Sequence, residues 1–271
     1  MSSAQDSQLT PEQVPKLTIY LDYASQPSRA IRTICDLFKI TDKIEWKLIK
    51  LLKRENTTPE YLKINPFHTV PCLVDNDSGL VIYESPAIVE YLDEVFGLDG
   101  PFGFPARSKR KERFQVITAL HKHHSLIRNT TMTILTPWFA SFVFKKPFDV
   151  EAFSKIVAHA KANEYSTLNT ILANNNGYIC GGEQPSAADV FAFMEVFQFT
   201  KGDFEDDDCN THHVCDFEDL PAVHAWLQKL RPILFDPARE TDLWEGTRSF
   251  IKLGRSCVPL CALLNASPSK L

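Results

Sequence analysis

No apolar run in the 271 residues approaches the ~20 needed to cross a bilayer. The opening stretch MSSAQDSQLTPEQVPK lacks the apolar centre of a secretory leader and the basic character of a transit peptide. A soluble, cytoplasmic chain is the expectation. There is no excess of positive charge either. Lys and Arg number 29 against 34 Asp and Glu, a net of −5, which excludes bulk attraction to nucleic acid or anionic lipid. The sequence also lacks a disulfide framework and any internal repeat. Its seven cysteines, Cys35, Cys72, Cys180, Cys209, Cys215, Cys257 and Cys261, are odd in number and scattered, which suits a reducing compartment.

What is present is ordinary globular material: 44% hydrophobic, 23% charged, with nineteen Phe, seven Tyr and four Trp to fill a sizeable core. At this length two domains are expected. The charge is uneven: Asp203–Asp219 holds eight acids and no Lys or Arg, so the remaining residues sum to +3. That segment is expected to be a solvated acidic loop.

Residues 1–15 read as a flexible tail. Leu17, Ile19 and Leu21 alternate with polar neighbours as in a strand, and Ser25-Gln26-Pro27 ends it. Ile31, Ile34, Cys35 and Phe38 then recur at helical spacing, predicting one buried stripe. A second strand is predicted over Ile44–Leu51 and a short helix from Thr57-Thr58-Pro59 to about Ile64. Cys72–Val74 and Leu80–Tyr83, separated by Asn76-Asp77-Ser78-Gly79, predict a hairpin. Ser85 as N-cap and Pro86 at N1 predict the next helix, with Ile88, Tyr91, Leu92, Val95 and Phe96 buried. The order βαβαββα over residues 16–97 predicts a small mixed α/β domain.

Three Gly and two Pro between Gly97 and Pro105 mark a linker, residues 98–107. Beyond it strand patterns vanish. Helices are predicted over Ser108–Thr131, Val150–Asn174, Ser186–Phe199 and Ala222–Leu234, giving an all-α second domain over 108–271. Pro185-Ser186-Ala187-Ala188-Asp189 is a helix start with an acid at N3.

Five marks stand in order along this frame: Tyr20 to Ala30 with Ser25 at its centre; Asn65-Pro66; Val70-Pro71; Glu84-Ser85-Pro86-Ala87-Ile88 with Tyr91-Leu92; and Ser186-Ala187-Ala188-Asp189. Together they resemble the theta class of glutathione transferases over about residues 16–245. The resemblance implies a thioredoxin-like domain followed by a helical domain, with glutathione as co-substrate and no metal. It implies a small hydrophobic electrophile as the other partner and a two-fold homodimer, with neither nucleic acid nor membrane as partner. Detoxification is the role it suggests.

Ser25 would then be catalytic, donating its hydroxyl to the glutathione sulfur; from the residues alone it is equally the N-cap of the Pro27 helix. A Ser rather than a Cys at this place disfavours mixed-disulfide chemistry. The resemblance assigns glutathione contacts to Asn56, Thr69, Val70, Pro71, Glu84 and Ser85. It implies a cis bond before Pro71, where the residues alone favour an ordinary trans proline at a strand start. Asn56 stands where theta enzymes carry a His, with Lys53 and Arg54 as nearby charges. Ser125 stands where they carry an acid facing the γ-glutamyl amine. Arg128 matches their active-site arginine. His121, His124, Ser125 and Arg128 fall at i, i+3, i+4 and i+7, so one helix face is expected to border the electrophile pocket.

The segment from Cys209 to Cys215 holds C-x₂-H and H-x-C spacings of metal-ligand type. It lacks a second Cys/His cluster, and the acidic loop remains the expectation there. The His121-Lys122-His123-His124 run reads the same way. Cys257 and Cys261 are expected on an apolar helix face. Asn56, Ser125 and the acidic loop motivate a second reading, an interaction module of the same fold without turnover, because fold does not fix function. A dehalogenase or isomerase using the same bound thiol is a third.

Overall fold

In a computed structural model, the structure describes residues 14–144, 148–199 and 217–234. The segment from Cys209 to Cys215, most of the acidic stretch, Cys257 and Cys261 lie outside the described residues.

The α/β part runs β1 (Leu17–Leu21), α1 (Gln26–Leu37), β2 (Ile44–Leu48), α2 (Pro59–Leu62), β3 (Cys72–Asp75), β4 (Val81–Ile82) and α3 (Ser85–Phe96). The sheet order is β2-β1-β3-β4. β1 pairs parallel with β2 through the α1 crossover, then antiparallel with β3, which forms the predicted hairpin with β4. Asp75 fixes that hairpin turn, accepting from Ser78 Oγ at 2.6 Å and Tyr91 OH at 2.8 Å. The β2 strand stops at Leu48, three residues short of the prediction. Asp22 Oδ2 accepts from the Leu51 amide at 2.7 Å and Glu55 Oε2 from that of Lys50 at 2.8 Å, drawing the chain into 3₁₀ turns at Leu51–Lys53 and Glu55–Thr57.

Two helix expectations need correcting. α1 buries far more than one stripe: Gln26, Ser28, Arg29 and Thr33 are as buried as Ile31 and Ile34, because α1 lies between α3 and a helix of the second half. And α3 starts at Ser85 itself. Glu84 holds the N-cap position with its side chain making no capping bond.

The second half is helical: α4 (Arg110–His123), α5 (Asn129–Phe144), α6 (Val150–Ala160), α7 (Ser166–Asn174), α8 (Ala187–Val196) and α9 (Pro221–Leu234). A π turn at His124–Arg128 joins α4 to α5, so one continuous helix runs on past Thr131, where the sequence reading ended it. A second π turn, Lys161–Tyr165, joins α6 to α7. Asp189 organises the start of α8. Fully buried, it accepts from the Ser186 amide at 2.8 Å, the Ile179 amide at 3.0 Å and Trp226 Nε1 of α9 at 3.1 Å. The expected helix start therefore also ties down the loop before it and the helix after it.

The connection between the halves is pinned. The Phe102 amide donates to Pro185 O at 2.8 Å, and Gly103 O accepts from the Ala187 amide at 2.8 Å. A Cβ on Gly103 would lie 2.1 Å from Leu98 O and 2.6 Å from the Phe38 ring, so only glycine fits this crossing. Among the described residues no helix is long and apolar enough to cross a membrane.

Candidate functional site

β1 ends in a turn organised by Asp22. Asp22 accepts the Ala24 amide on its side chain and the Ser25 amide on its carbonyl, both at 2.9 Å. This fixes Ser25 in extended conformation (φ −85°, ψ 120°) as the N-cap of α1. Its hydroxyl accepts from the Ser28 amide at 3.4 Å and donates to Val70 O at 3.1 Å. The capping read from the sequence is present here, and the same hydroxyl faces the residue before Pro71, 45 positions away. It is not aimed into an open crevice. It is 5% exposed, and its single proton is given to the Val70 carbonyl.

The peptide bond before Pro71 is cis. The loop leading to it is held by side chains. Buried Asn65 donates through Nδ2 to Thr69 O at 2.9 Å and Thr69 Oγ1 at 3.1 Å, and accepts the Phe67 amide at 3.0 Å. Tyr61 OH donates to Thr69 O at 2.6 Å. Asn56 Nδ2 donates to His68 O at 2.7 Å. Asn56 and Thr69, named from the sequence as ligand contacts, thus shape the 65–69 loop. Val70 is left half-buried, with a backbone N–H that meets no acceptor among the described residues.

Ser85 is buried in the first turn of α3, where unpaired amides and the helix dipole favour an anion. Exposed Glu84 reaches across to the π turn, its Oε2 lying 3.7 Å from His124 Nε2. Burial, reinforced by the neighbouring His123, pulls the His124 basicity down, and Glu84 offsets part of that.

The face predicted from His121, His124, Ser125 and Arg128 does not survive as one surface. A π turn places an extra residue in one turn, so spacings counted at 3.6 residues per turn fail across it. His121 points to Glu90 of α3 at 3.4 Å. Ser125 is exposed and donates to Lys122 O at 3.1 Å. Of the four, Arg128 turns toward α1. Its Nη1 donates to Gln26 Oε1 at 2.6 Å and sits 3.3 and 3.4 Å from the two oxygens of Glu195.

That contact opens a network the sequence reading missed. Gln26, directly after Ser25, donates through Nε2 to Gln198 Oε1 at 2.8 Å. Arg29, one turn on, gives Nη1 to Tyr23 O at 2.7 Å and Nη2 to Met194 O at 3.3 Å and Gln198 Oε1 at 3.2 Å. Burial lowers the Arg29 pKa to about 10. Glu195 is fully buried, with His123 Nε2 at 3.5 Å. Burial pushes its carboxyl up, but His123 and the Arg128 charge outweigh that and hold it below the ordinary range. One signal was available: Glu195 is the lone acid in the otherwise apolar second half of α8.

The fold is a thioredoxin-like α/β half, carrying the Ser25–Val70 contact and the α3 N-terminus, joined to a helical half. A profile described as "Glutathione S-transferase, N-terminal domain" matches residues 24–95. Glutathione S-transferase T1 of Arabidopsis thaliana is 30% identical over 192 residues, 70% of this chain and 76% of the relative. Glutathione S-transferase T2 of the same plant is 31% identical over 193 residues, which span 70% of this chain but only 31% of that longer protein. Human glutathione-S-transferase T1-1 in its apo form matches in fold with a TM-score of 0.69 and 21% identity, covering 93% of this chain and 94% of that one. The chain belongs to the glutathione S-transferase family, and its relatives include theta-like members.

Proposed function

We propose that this chain is a glutathione transferase of the serine type, conjugating the glutathione thiolate to small hydrophobic electrophiles. The observation that carries this reading is the 3.1 Å contact between Ser25 Oγ and Val70 O. It sets a hydroxyl at a helix N-terminus beside a half-buried peptide whose N–H meets no acceptor among the described residues. An extended cysteinyl unit pairing with Val70, as an added strand would, brings its sulfur toward Ser25. Asn56, Thr69 and Pro71 shape that edge, Glu84 and Ser85 receive the γ-glutamyl end, and Arg128, Ser125 and His121 lie on the electrophile side. The enzyme acts as a homodimer in the cytoplasm.

The energetics favour the switch this requires. A thiol of pKa about 8.5 needs roughly 2.7 kcal/mol of differential stabilisation to fall two units. A hydrogen bond to a charged group supplies about 1.5–3 kcal/mol, and the α1 N-terminus adds about 0.3–1 kcal/mol. Turning the Ser25 proton from the Val70 carbonyl to sulfur gives up one neutral hydrogen bond, about 1 kcal/mol. The net is favourable, about 0.8–3 kcal/mol, and reaches the full two-unit shift at its upper end.

In the Ser25→Ala variant, kcat/KM across a panel of electrophiles is expected to fall about 10²-fold, the order seen on removing one preorganised donor. The rise of kcat/KM with pH should move toward the free-thiol value near 8.5. The second reading, an interaction module without turnover, has one observation in its favour: the only Ser25 proton is already committed to Val70. Calorimetric titration separates the two. No heat and no thermal shift at millimolar glutathione would leave the module. Heat without Ser25-dependent conjugation would point to dehalogenation or isomerisation with the same thiol.

A further inference from the structure

Tyr61 lies in the short α2 helix and is 2% exposed. Every part of it is held. Thr58 Oγ1 accepts its amide at 3.3 Å, and its carbonyl accepts the amides of Ile64 and Asn65, both at 2.9 Å. Its ring meets that of Tyr20 on β1 edge-on, with 5.9 Å between centroids. The phenol is left to reach outward, and it donates to Thr69 O at 2.6 Å. Burial pushes that phenol above its ordinary value of 10, so it stays a neutral donor across the range in which a thiol ionises.

Thr69 O takes a second donor, Asn65 Nδ2 at 2.9 Å. A carbonyl oxygen has two lone pairs, so both are used. Tyr61 and Asn65 are buried while Thr69 itself is exposed, so the Thr69 carbonyl is turned toward the protein body. The peptide joining Thr69 to Val70 is trans and planar, and its N–H therefore points the opposite way from that carbonyl. This N–H belongs to Val70 and meets no acceptor among the described residues. Two donors on one oxygen hold the peptide plane against rotation, and so fix where the Val70 N–H is aimed. The Asn65 share is local and is divided with Thr69 Oγ1 at 3.1 Å. The Tyr61 share comes from a separate helix packed on β1, the strand that leads into Ser25.

We propose that Tyr61 is a positioning residue for glutathione, its phenol aiming the Val70 N–H at the cysteinyl carbonyl of the bound tripeptide. This rests on the pairing of glutathione with Val70 in the reading above and adds a residue that the reading leaves out. Tyr61 meets neither the sulfur nor the electrophile. Its loss changes how well the tripeptide is held, and not how readily the thiol ionises.

The test uses Tyr61→Phe in the full-length chain, which keeps the ring and removes only the phenol oxygen. The first probe is S-methylglutathione, which has no thiol to ionise, titrated by calorimetry. Its Kd is expected to rise about two- to ten-fold, the worth of one hydrogen bond. In turnover the same loss should appear in KM for glutathione, with kcat and the pH dependence of kcat/KM unmoved. The second probe is the thioamide of S-methylglutathione in which sulfur, a weak acceptor, replaces the cysteinyl carbonyl oxygen. It should bind the parent more weakly than the first probe does. The variant should narrow that gap, because both changes act on one contact. Equal Kd in parent and variant overturns the proposal. So does an equal loss for both probes, which would make the phenol a brace for the loop and nothing more. A shifted pH profile overturns it too, since that would put Tyr61 at the sulfur. A parent that binds neither probe brings down the glutathione reading and this proposal together. A weakened Tyr61→Phe beside a Ser25→Ala that conjugates normally supports Tyr61 and removes only the role given to Ser25.

Discussion

The two halves build their share of the candidate site from different materials. In the α/β half the polar groups are main chain presented at chain reversals: the cap of α1, the bond before Pro71 and the first turn of α3. Side chains such as Asp22, Asn65 and Tyr61 act there by fixing the backbone. In the helical half the working groups are side chains, Arg128 and Glu195, brought together from positions 67 apart and held by one another. A main-chain site survives many substitutions as long as its turns persist. A side-chain site depends on each member.

Substitutions can break or sharpen that contrast. The largest effect is expected at Arg29. Arg29→Met strands the carbonyls of Tyr23, Ala24 and Met194 without their donor. Each buried carbonyl left without its donor costs about 1–3 kcal/mol, and the sum is to be read from chemical unfolding. A change below about 1 kcal/mol would show that the network is ornamental and erase the contrast.

Next comes Glu195→Gln. The folded-state carboxyl is held below its ordinary value of 4.5. Its charge therefore contributes stability at pH above that value, and the contribution drains away as pH falls through the depressed one. At pH 7 the variant should lose about 1–3 kcal/mol, and the gap to the parent should narrow toward pH 3. A gap that widens in acid would contradict the sign. The smallest effect is expected at Ser125→Asp, which restores an acid at an exposed place. KM for glutathione should drop by no more than about five-fold, the reach of a surface ion pair, with kcat unchanged. An unmoved KM would place Ser125 away from the γ-glutamyl amine.

The same contrast governs what could be read from the sequence. Turn-built features were legible because their signals are local: Ser25 before Pro27, the Asn76–Gly79 hairpin turn and the Ser186–Asp189 helix start all appear where expected. The chain order and the sheet came with them. The Gln26–Arg128–Glu195 network was not legible, because it joins residues far apart in sequence and α1 hid its second buried face behind a single obvious apolar stripe. The π turn defeated the reading of His121, His124, Ser125 and Arg128 as one face. Nothing local announces the extra residue, and the count of 3.6 simply carries on through it.

The guanidinium of Arg29 has a further meaning. It is rooted in one half and makes two of its four hydrogen bonds in the other. Neither half can therefore be lent to a different partner without a replacement for Met194 O and Gln198 awaiting it. Relatives that differ at this seam cannot trade halves freely, and change in one half is answerable to the other across a junction that a cut in the linker would not undo.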